Sequence, residues 1–332
     1  MSLVVLAPAR PGAADTDPFR KGFTLVAWSS EAYADPRVEA QLDALRDAGV
    51  EWIALTPHWF QATRSATSIA PHLTRSPSDA SLRRVIEQAH ARGFRVLLKP
   101  HVELLGSGWR GEISFTSEDA WSTWFESYVR FVLHYARLAA ETDIELLCVG
   151  VELDGTRHRD GEWRSTIRRV REVFPGPLTF AANWGRERDI RWWDALDYAG
   201  VDAYFPLAQS ADPPADELTA SWSRHLSGLR AWARAIDRPV IFTEIGYRSV
   251  AGAAAQPWAW QDEGTPDADE QALLYRAALE AVWSEPWIAG LFWWEWRTAP
   301  PDRPQDDTSF TPQGKPALDV LREFYLSSSA LP

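Results

Sequence analysis

A chain of 332 residues, 45% of them hydrophobic, can bury a large single core, and single barrel domains of this length are common. A formal charge of -12 argues against nucleic acid and anionic membrane surfaces as partners, because a polyanion would be repelled over most of the protein, and a neutral substrate fits better. The only cysteine, Cys148, excludes a disulfide framework and a thiolate metal cluster; within its apolar run it reads as a small core hydrophobe.

Residues 1–20 are rich in Pro, Gly and Ala without periodicity and are expected to form a loose arm ahead of one domain over residues 21–328. The apolar patch Leu3 to Ala7 is too short for a signal core and has no basic segment before it, and no run approaches the ~20 apolar residues of a membrane span. The expectation is a soluble cytoplasmic protein, or a secreted one if an export signal has been trimmed.

The first strand is FTLVAWSS, closing on Trp28. Asp35 and Pro36 then start a helix with Val38, Leu42 and Leu45 at helical spacing, stopped by Gly49. The strand EWIALTPHWF follows, and Ser78 caps a helix carrying Leu82, Val85, Ile86 and Ala89 on one face up to Gly93. FRVLLKPHVEL is the third strand, and the longest helix, from Ser117 to about Ala140, places Trp121, Trp124, Phe125, Tyr128, Val129 and Val132 on one face. The strand IELLCVGVEL ends at Glu152, and a helix through Trp163, Ile167 and Val170 halts at Pro175-Gly176. PLTFAANW comes next, then a short Trp-rich helical segment near Arg186 to Leu196, then YAGVDAYFPL and a helix through Leu218, Trp222, Leu226 and Leu229. RPVIFTEIGYRS is a buried strand that carries Glu244 to its rim; the loop from Ala251 to Gly264 behind it is long enough to suggest function. Asp267 with Glu270 has the spacing of a capping box, WIAGLFWWEW is the last strand, and a helix from Pro316 to about Tyr325 closes the chain.

Eight short apolar runs, each followed by a helix or helical segment, are the arithmetic of an α/β fold, a single (β/α)8 TIM barrel of about 250 residues plus insertions. A doubly wound open sheet is the competing fold, but no glycine-rich phosphate loop follows the first strand.

Active residues of such barrels sit at the C-terminal strand ends. Here those ends carry Trp28; His58 and Trp59; Lys99, His101 and Glu103; Glu152; Asn183 and Trp184; Tyr204; Glu244 and Tyr247; and Trp294 and Trp296. Asn183 is the only asparagine of the chain and Lys99 one of three lysines. The histidines fit no metal-site spacing, so no metal and no cofactor are implied. Trp52, Trp121, Trp124 and Trp283 lie within elements and read as core, whereas Trp59, Trp184, Trp258 and Trp260 fall at strand ends or in the long loop, where a core reading fails more often.

The segments GVELDG and FTEIGYRS, together with LKPHVEL, VDAYFPL and GLFWWEW, resemble the clan of retaining glycosidases that carry acid/base and nucleophile on barrel strands four and seven. Within it the chain is most similar, from about Gly22 to Tyr325, to glycoside hydrolase family 113, whose known activity is mainly endo-β-1,4-mannanase. The resemblance implies an oligo- or polysaccharide substrate. It implies Glu152 as acid/base, Glu244 as nucleophile, Tyr204 as the hydroxyl bonded to the nucleophile and Trp294 as the platform under the reacting sugar. The chain departs from the wider clan in having Val151 before the strand-four glutamate, which makes Asn183 the candidate contact to the sugar 2-hydroxyl. No arginine ends strand two, so His58 or Lys99 is the candidate partner of the nucleophile. Two other readings stay open: a Schiff-base aldolase-type barrel with Lys99 as nucleophile, and a sugar-binding barrel without catalysis.

Overall fold

The computed structural model describes residues 19–209, 213–260 and 264–327. The expected N-terminal arm lies outside the described residues up to position 18, and the first strand begins at Arg20, three residues before the FTLVAWSS segment. In chain order the strands are β1 (Arg20–Val26), β2 (Trp52–Leu55), β3 (His58–Gln61), β4 (Ile69–Ala70), β5 (Arg95–Leu98) and β6 (His101–Leu104). They continue with β7 (Leu146–Val151), β8 (Leu178–Asn183), β9 (Ala199–Asp202), β10 (Val240–Ile245) and β11 (Ile288–Arg297). Eight of them close into a parallel barrel in the order β1, β11, β10, β9, β8, β7, β5, β2.

The helices among the described residues are α1 (Arg37–Asp47), α2 (Asp79–Ala91), α3 (Glu118–Glu141), α4 (Asp160–Arg171), α5 (Ala215–Ile236), α6 (Ala268–Val282) and α7 (Pro316–Leu326). Side chains cap three of them: Ser78 Oγ accepts from the Ser81 amide, Ser117 Oγ from Ala120 and Asp267 Oδ1 from Glu270. Between β8 and β9 two 3-10 turns stand where the other units carry a helix. Trp192 and Trp193 fill that gap, the first stacked on Trp163 at 5.5 Å and the second packed edge-on to Trp232 at 5.6 Å. No helix among the described residues is long and apolar enough to cross a membrane.

Two strands expected as single runs are each broken by a proline. EWIALTPHWF divides into β2 and β3 at Pro57, and FRVLLKPHVEL into β5 and β6 at Pro100, because proline has no N–H for the ladder. The breaks are level with each other, so pairing resumes beyond them with His58 opposite His101. β3 and β6, with β4, form a small sheet beyond the barrel mouth.

Inside the barrel Trp52, Ala54, Leu97, Leu146, Cys148, Ala181, Ile241 and Phe292 form an apolar plug separate from the larger core between sheet and helices. The Arg20 guanidinium lies over the rings of Trp52 and Tyr198 at 5.1 and 4.5 Å. Burial pushes the Cys148 thiol up to about 12, in keeping with a core role.

Candidate active site

The barrel register brings three polar residues level on adjacent strands: Asn183 on β8 pairs with Asp202 on β9, which pairs with Glu244 on β10. Lys99 follows β5, immediately before the proline break, and reaches the same layer. Its fully buried ammonium donates to Glu244 Oε1 and to the Thr243 carbonyl. Tyr204 Oη donates to the other carboxylate oxygen, Glu244 Oε2, at 2.7 Å. Burial alone would raise the Glu244 carboxyl, but the charge of Lys99, the neighbouring His101 and the hydrogen bonds from Lys99 and Tyr204 outweigh it and hold it below the usual range. Burial would likewise lower the Lys99 ammonium, yet Glu244 and Asp202 keep it above its ordinary value, hence charged. Asp202 shows the opposite balance. Burial and the charge of Glu244 push its carboxyl far up; Thr243 Oγ1 donates to Oδ1, while no hydrogen bond forms to the buried Oδ2.

Glu152 stands one residue beyond β7 with a backbone φ of 50°, a left-handed conformation that costs a non-glycine residue of order 1 kcal/mol. Two local bonds hold it, from the Glu152 amide to the Ala181 carbonyl and from the Asp154 amide to the Glu152 carbonyl, each 2.9 Å. Burial raises the Glu152 carboxyl; Glu244 raises it further, and Arg110 opposes both without cancelling them. The two glutamates are thus displaced in opposite directions, one toward the ionised form and one toward the protonated form.

Arg110 and Trp109 were not singled out from the sequence. They sit in the loop GSGWRGE between β6 and α3, where no periodicity marks a functional side chain; its glycines around an aromatic and a cation were the available signal. Arg110 Nη1 donates to Glu152 Oε2 at 2.8 Å and Trp109 Nε1 to the same oxygen at 3.2 Å. The guanidinium is anchored on its other edge by Glu103 and the Val102 carbonyl. Gly155, just after Glu152, lets this loop approach, since a Cβ there would meet the Ile113 carbonyl oxygen at 2.2 Å.

Trp294, half-buried, lies parallel to His101 with ring centroids 6.3 Å apart and has the Lys99 ammonium 5.7 Å from its ring. Burial lowers His101 to about 4, so the imidazole is neutral near pH 7. His58 faces Glu103 and Arg110 and touches the exposed Trp28 at 5.2 Å. Its Nδ1 lies 3.2 Å from the Thr56 carbonyl, and Lys99, not His58, is the partner of Glu244. Asn183 lies beside Asp154, whose carboxyl burial raises to about 6. Trp184 packs on Trp258 of the long loop at 5.2 Å.

Three expected site residues lie elsewhere. Trp59 turns away from the mouth and packs on Phe131, His134 and Tyr135, because alternate residues of β3 face opposite sides and His58 takes the mouth side. Trp296 lies two residues past Trp294, and the register of β11 against β1 shifts between Trp293 and Trp296, so the regular alternation is broken there; Trp296 is buried edge-on to Phe23 and donates to Gln41 on α1 at 2.9 Å. Tyr247 is fully buried beside Tyr275, with its carbonyl accepting from Gln271.

A model of Glycoside Hydrolase Family 113 matches residues 17–315. Among solved structures, a GH113 β-1,4-mannanase in a complex shares 29% identity over 93% of this chain and 99% of its own, with a TM-score of 0.87. The GH113 β-mannanase AaManA from Alicyclobacillus acidocaldarius, in complex with ManMIm, shares 32% identity over 93% of this chain and 97% of its own, with a TM-score of 0.86. A Glycoside Hydrolase Family 5 mannosidase from Rhizomucor miehei shares the fold alone, at 11% identity over 93% of each chain and a TM-score of 0.59. No curated protein matches. With the family model spanning nearly the whole barrel, the chain belongs to Glycoside Hydrolase Family 113.

Proposed function

We propose that this chain cleaves β-1,4-linked mannan or glucomannan with retention of anomeric configuration, with Glu244 as nucleophile and Glu152 as acid/base. The observation that carries the reading is the opposite displacement of the two buried carboxyls. The identity of the sugar rests on the similar β-mannanases.

In the first step a Glu244 oxygen attacks the anomeric carbon while Glu152 gives its proton to the departing glycosidic oxygen. The glycosidic bond breaks as the glycosyl ester forms, which requires the carboxyls to lie about 5 to 5.5 Å apart. Formation of the ester removes the negative charge of Glu244, which had helped to keep Glu152 protonated. Arg110 then favours the ionised Glu152, which takes a proton from water as the water oxygen attacks the same carbon and releases Glu244. Trp294 is suited to lie under the reacting ring, with the Lys99 charge steadying the leaving carboxylate.

The Schiff-base reading of Lys99 is not favoured, since an attacking amine must be neutral and this one is held charged by Glu244 and Asp202. A binding barrel without catalysis has no use for a carboxylate pair tuned apart at the cost of burial. A reducing-end assay across mannan, glucomannan, xylan and cellulose tests the substrate. Release is expected from the first two, and release from xylan or cellulose alone would overturn the assignment.

A further inference from the structure

The Asp267-Glu270 pair has the spacing of a reciprocal capping box, but only half of the box forms. Asp267 Oδ1 accepts from the Glu270 amide at 2.8 Å, whereas the Glu270 carboxylate turns away from the helix end. It accepts from the amides of Gly252 at 2.7 Å and Ala254 at 3.2 Å. The same loop is held again where the Ala254 carbonyl accepts from the Leu207 amide at 2.8 Å, and where Arg248 donates to the Ala259 carbonyl at 3.3 Å. A buried carboxylate, a buried guanidinium and the chain after β9 thus fix the segment that carries Trp258.

What this scaffold presents is an indole 41% exposed to solvent. Trp258 follows β10 and packs against Trp184, which follows β8, at 5.2 Å with 32° between the ring planes. Trp184 is supported from behind by Phe205 at 6.5 Å. Both tryptophans therefore belong to the C-terminal mouth of the barrel that holds Glu152 and Glu244. Beyond its contact with Trp184, the part of this indole left in water on a fixed loop is not covered by packing, and its continuity with the glycosidase site gives it a ligand class.

Position around the ring selects which part of the substrate it meets. β8, with Trp184, is the immediate neighbour of β7, whose end carries Glu152, while β1, with Trp28, lies three strands from β7 on its other side. An acid must face the oxygen of the departing group, so aromatic surface next to it lies along the leaving-group side.

On the reading of Glu152 as acid, we propose that Trp184 and Trp258 form a sugar-stacking subsite for the leaving-group portion of the polysaccharide, preassembled by Glu270 and Arg248. The same surface would hold an acceptor sugar when the glycosyl-enzyme is intercepted by a carbohydrate hydroxyl instead of water. In that step the hydroxyl oxygen bonds to the anomeric carbon, its proton passes to Glu152, and Glu244 is released.

The test compares Trp258→Ala with the wild type on two substrates. One is mannohexaose, and the other is an aryl β-mannotrioside whose leaving group carries no sugar. The ratio of kcat/KM on the hexaose to that on the aryl substrate is expected to fall about tenfold, the scale of one lost stacking contact with its buried area, and longer transfer products should decline with it. An unchanged ratio overturns the subsite, whether both rates hold or both fall together through damage to the fold. Trp258→Phe, which keeps a ring, should restore most of the ratio. If the wild type cleaves neither substrate, it is the mannanase reading that fails, a result distinct from an unchanged ratio.

Discussion

Arg110 and Trp109 both donate to one oxygen of Glu152, Oε2, at 2.8 and 3.2 Å, leaving Oε1 as the oxygen free to carry the acid proton. Arg110 opposes the rise that burial and Glu244 impose on this carboxyl. Replacement by Gln removes that cation and also leaves Glu103 without its partner. Both changes favour protonated Glu152, so the alkaline limb of kcat/KM, where the acid is lost, should move to higher pH. The plateau should fall roughly ten- to a hundredfold on sugar leaving groups, with a smaller loss on an activated aryl glycoside that needs little protonation. A pH profile with an unmoved alkaline limb would show that Arg110 does not act through Glu152.

Lys99 governs the acid limb. Without its ammonium, Glu244 is left buried with Tyr204 as its one close donor, so more alkaline conditions are needed to ionise it. In Lys99→Met the acid limb of kcat/KM should therefore shift upward. Breaking a buried pair on one side is expected to cost about 3 to 5 kcal/mol of stability. Denaturant unfolding measured beside the pH profile separates the two effects, and an unshifted acid limb would contradict the pairing.

Gly155→Ala places a methyl against the Ile113 carbonyl, a backbone atom that cannot rotate away. The loop bearing Trp109 and Arg110 must shift, and activity should fall by about tenfold or more even though no charged group is removed. Intrinsic fluorescence together with kcat/KM measures this, since exposed Trp109 reports on the same loop. A fully active variant would mean that the close approach is dispensable.

Asn183 is proposed to contact the sugar 2-hydroxyl from its place on β8, level with Asp202 and Glu244. That contact should strengthen as the ring flattens, so Asn183→Ala is expected to cost about 2 to 4 kcal/mol in transition-state stabilisation, mostly in kcat. A 2-deoxy substrate should be far less affected. Equal slowing of both substrates would make the residue structural.

The eight repeating units could be read because each strand is a continuous apolar run and each helix has one apolar face, a pattern that depends only on local spacing. The glutamates could be read because a carboxylate ending such a run is rare chemistry in that place. Facing was harder. Trp59 and Trp296 sit one residue from His58 and two from Trp294, yet the pleat and the path of β11 turn them outward. The segments around Pro57 and Pro100 read as single strands, and only three-dimensional pairing shows that each is interrupted at its proline and resumes as part of a second small sheet. Arg110 and Trp109 lie in an aperiodic loop whose position over Glu152 depends on contact between segments some forty residues apart. Glu270 was read as a local cap because spacing along the chain carries no information about the loop it holds.

Covalent trapping addresses the two-glutamate mechanism at its first intermediate. The enzyme is incubated with a 2-deoxy-2-fluoro-β-mannosyl fluoride, whose fluorine slows breakdown of the glycosyl ester, then digested and analysed by mass spectrometry. The account predicts one added fluorosugar on the peptide containing FTEIGY, attached to Glu244. Labelling at Glu152 or Lys99, or time-dependent turnover with an inverted product and no label, would contradict it.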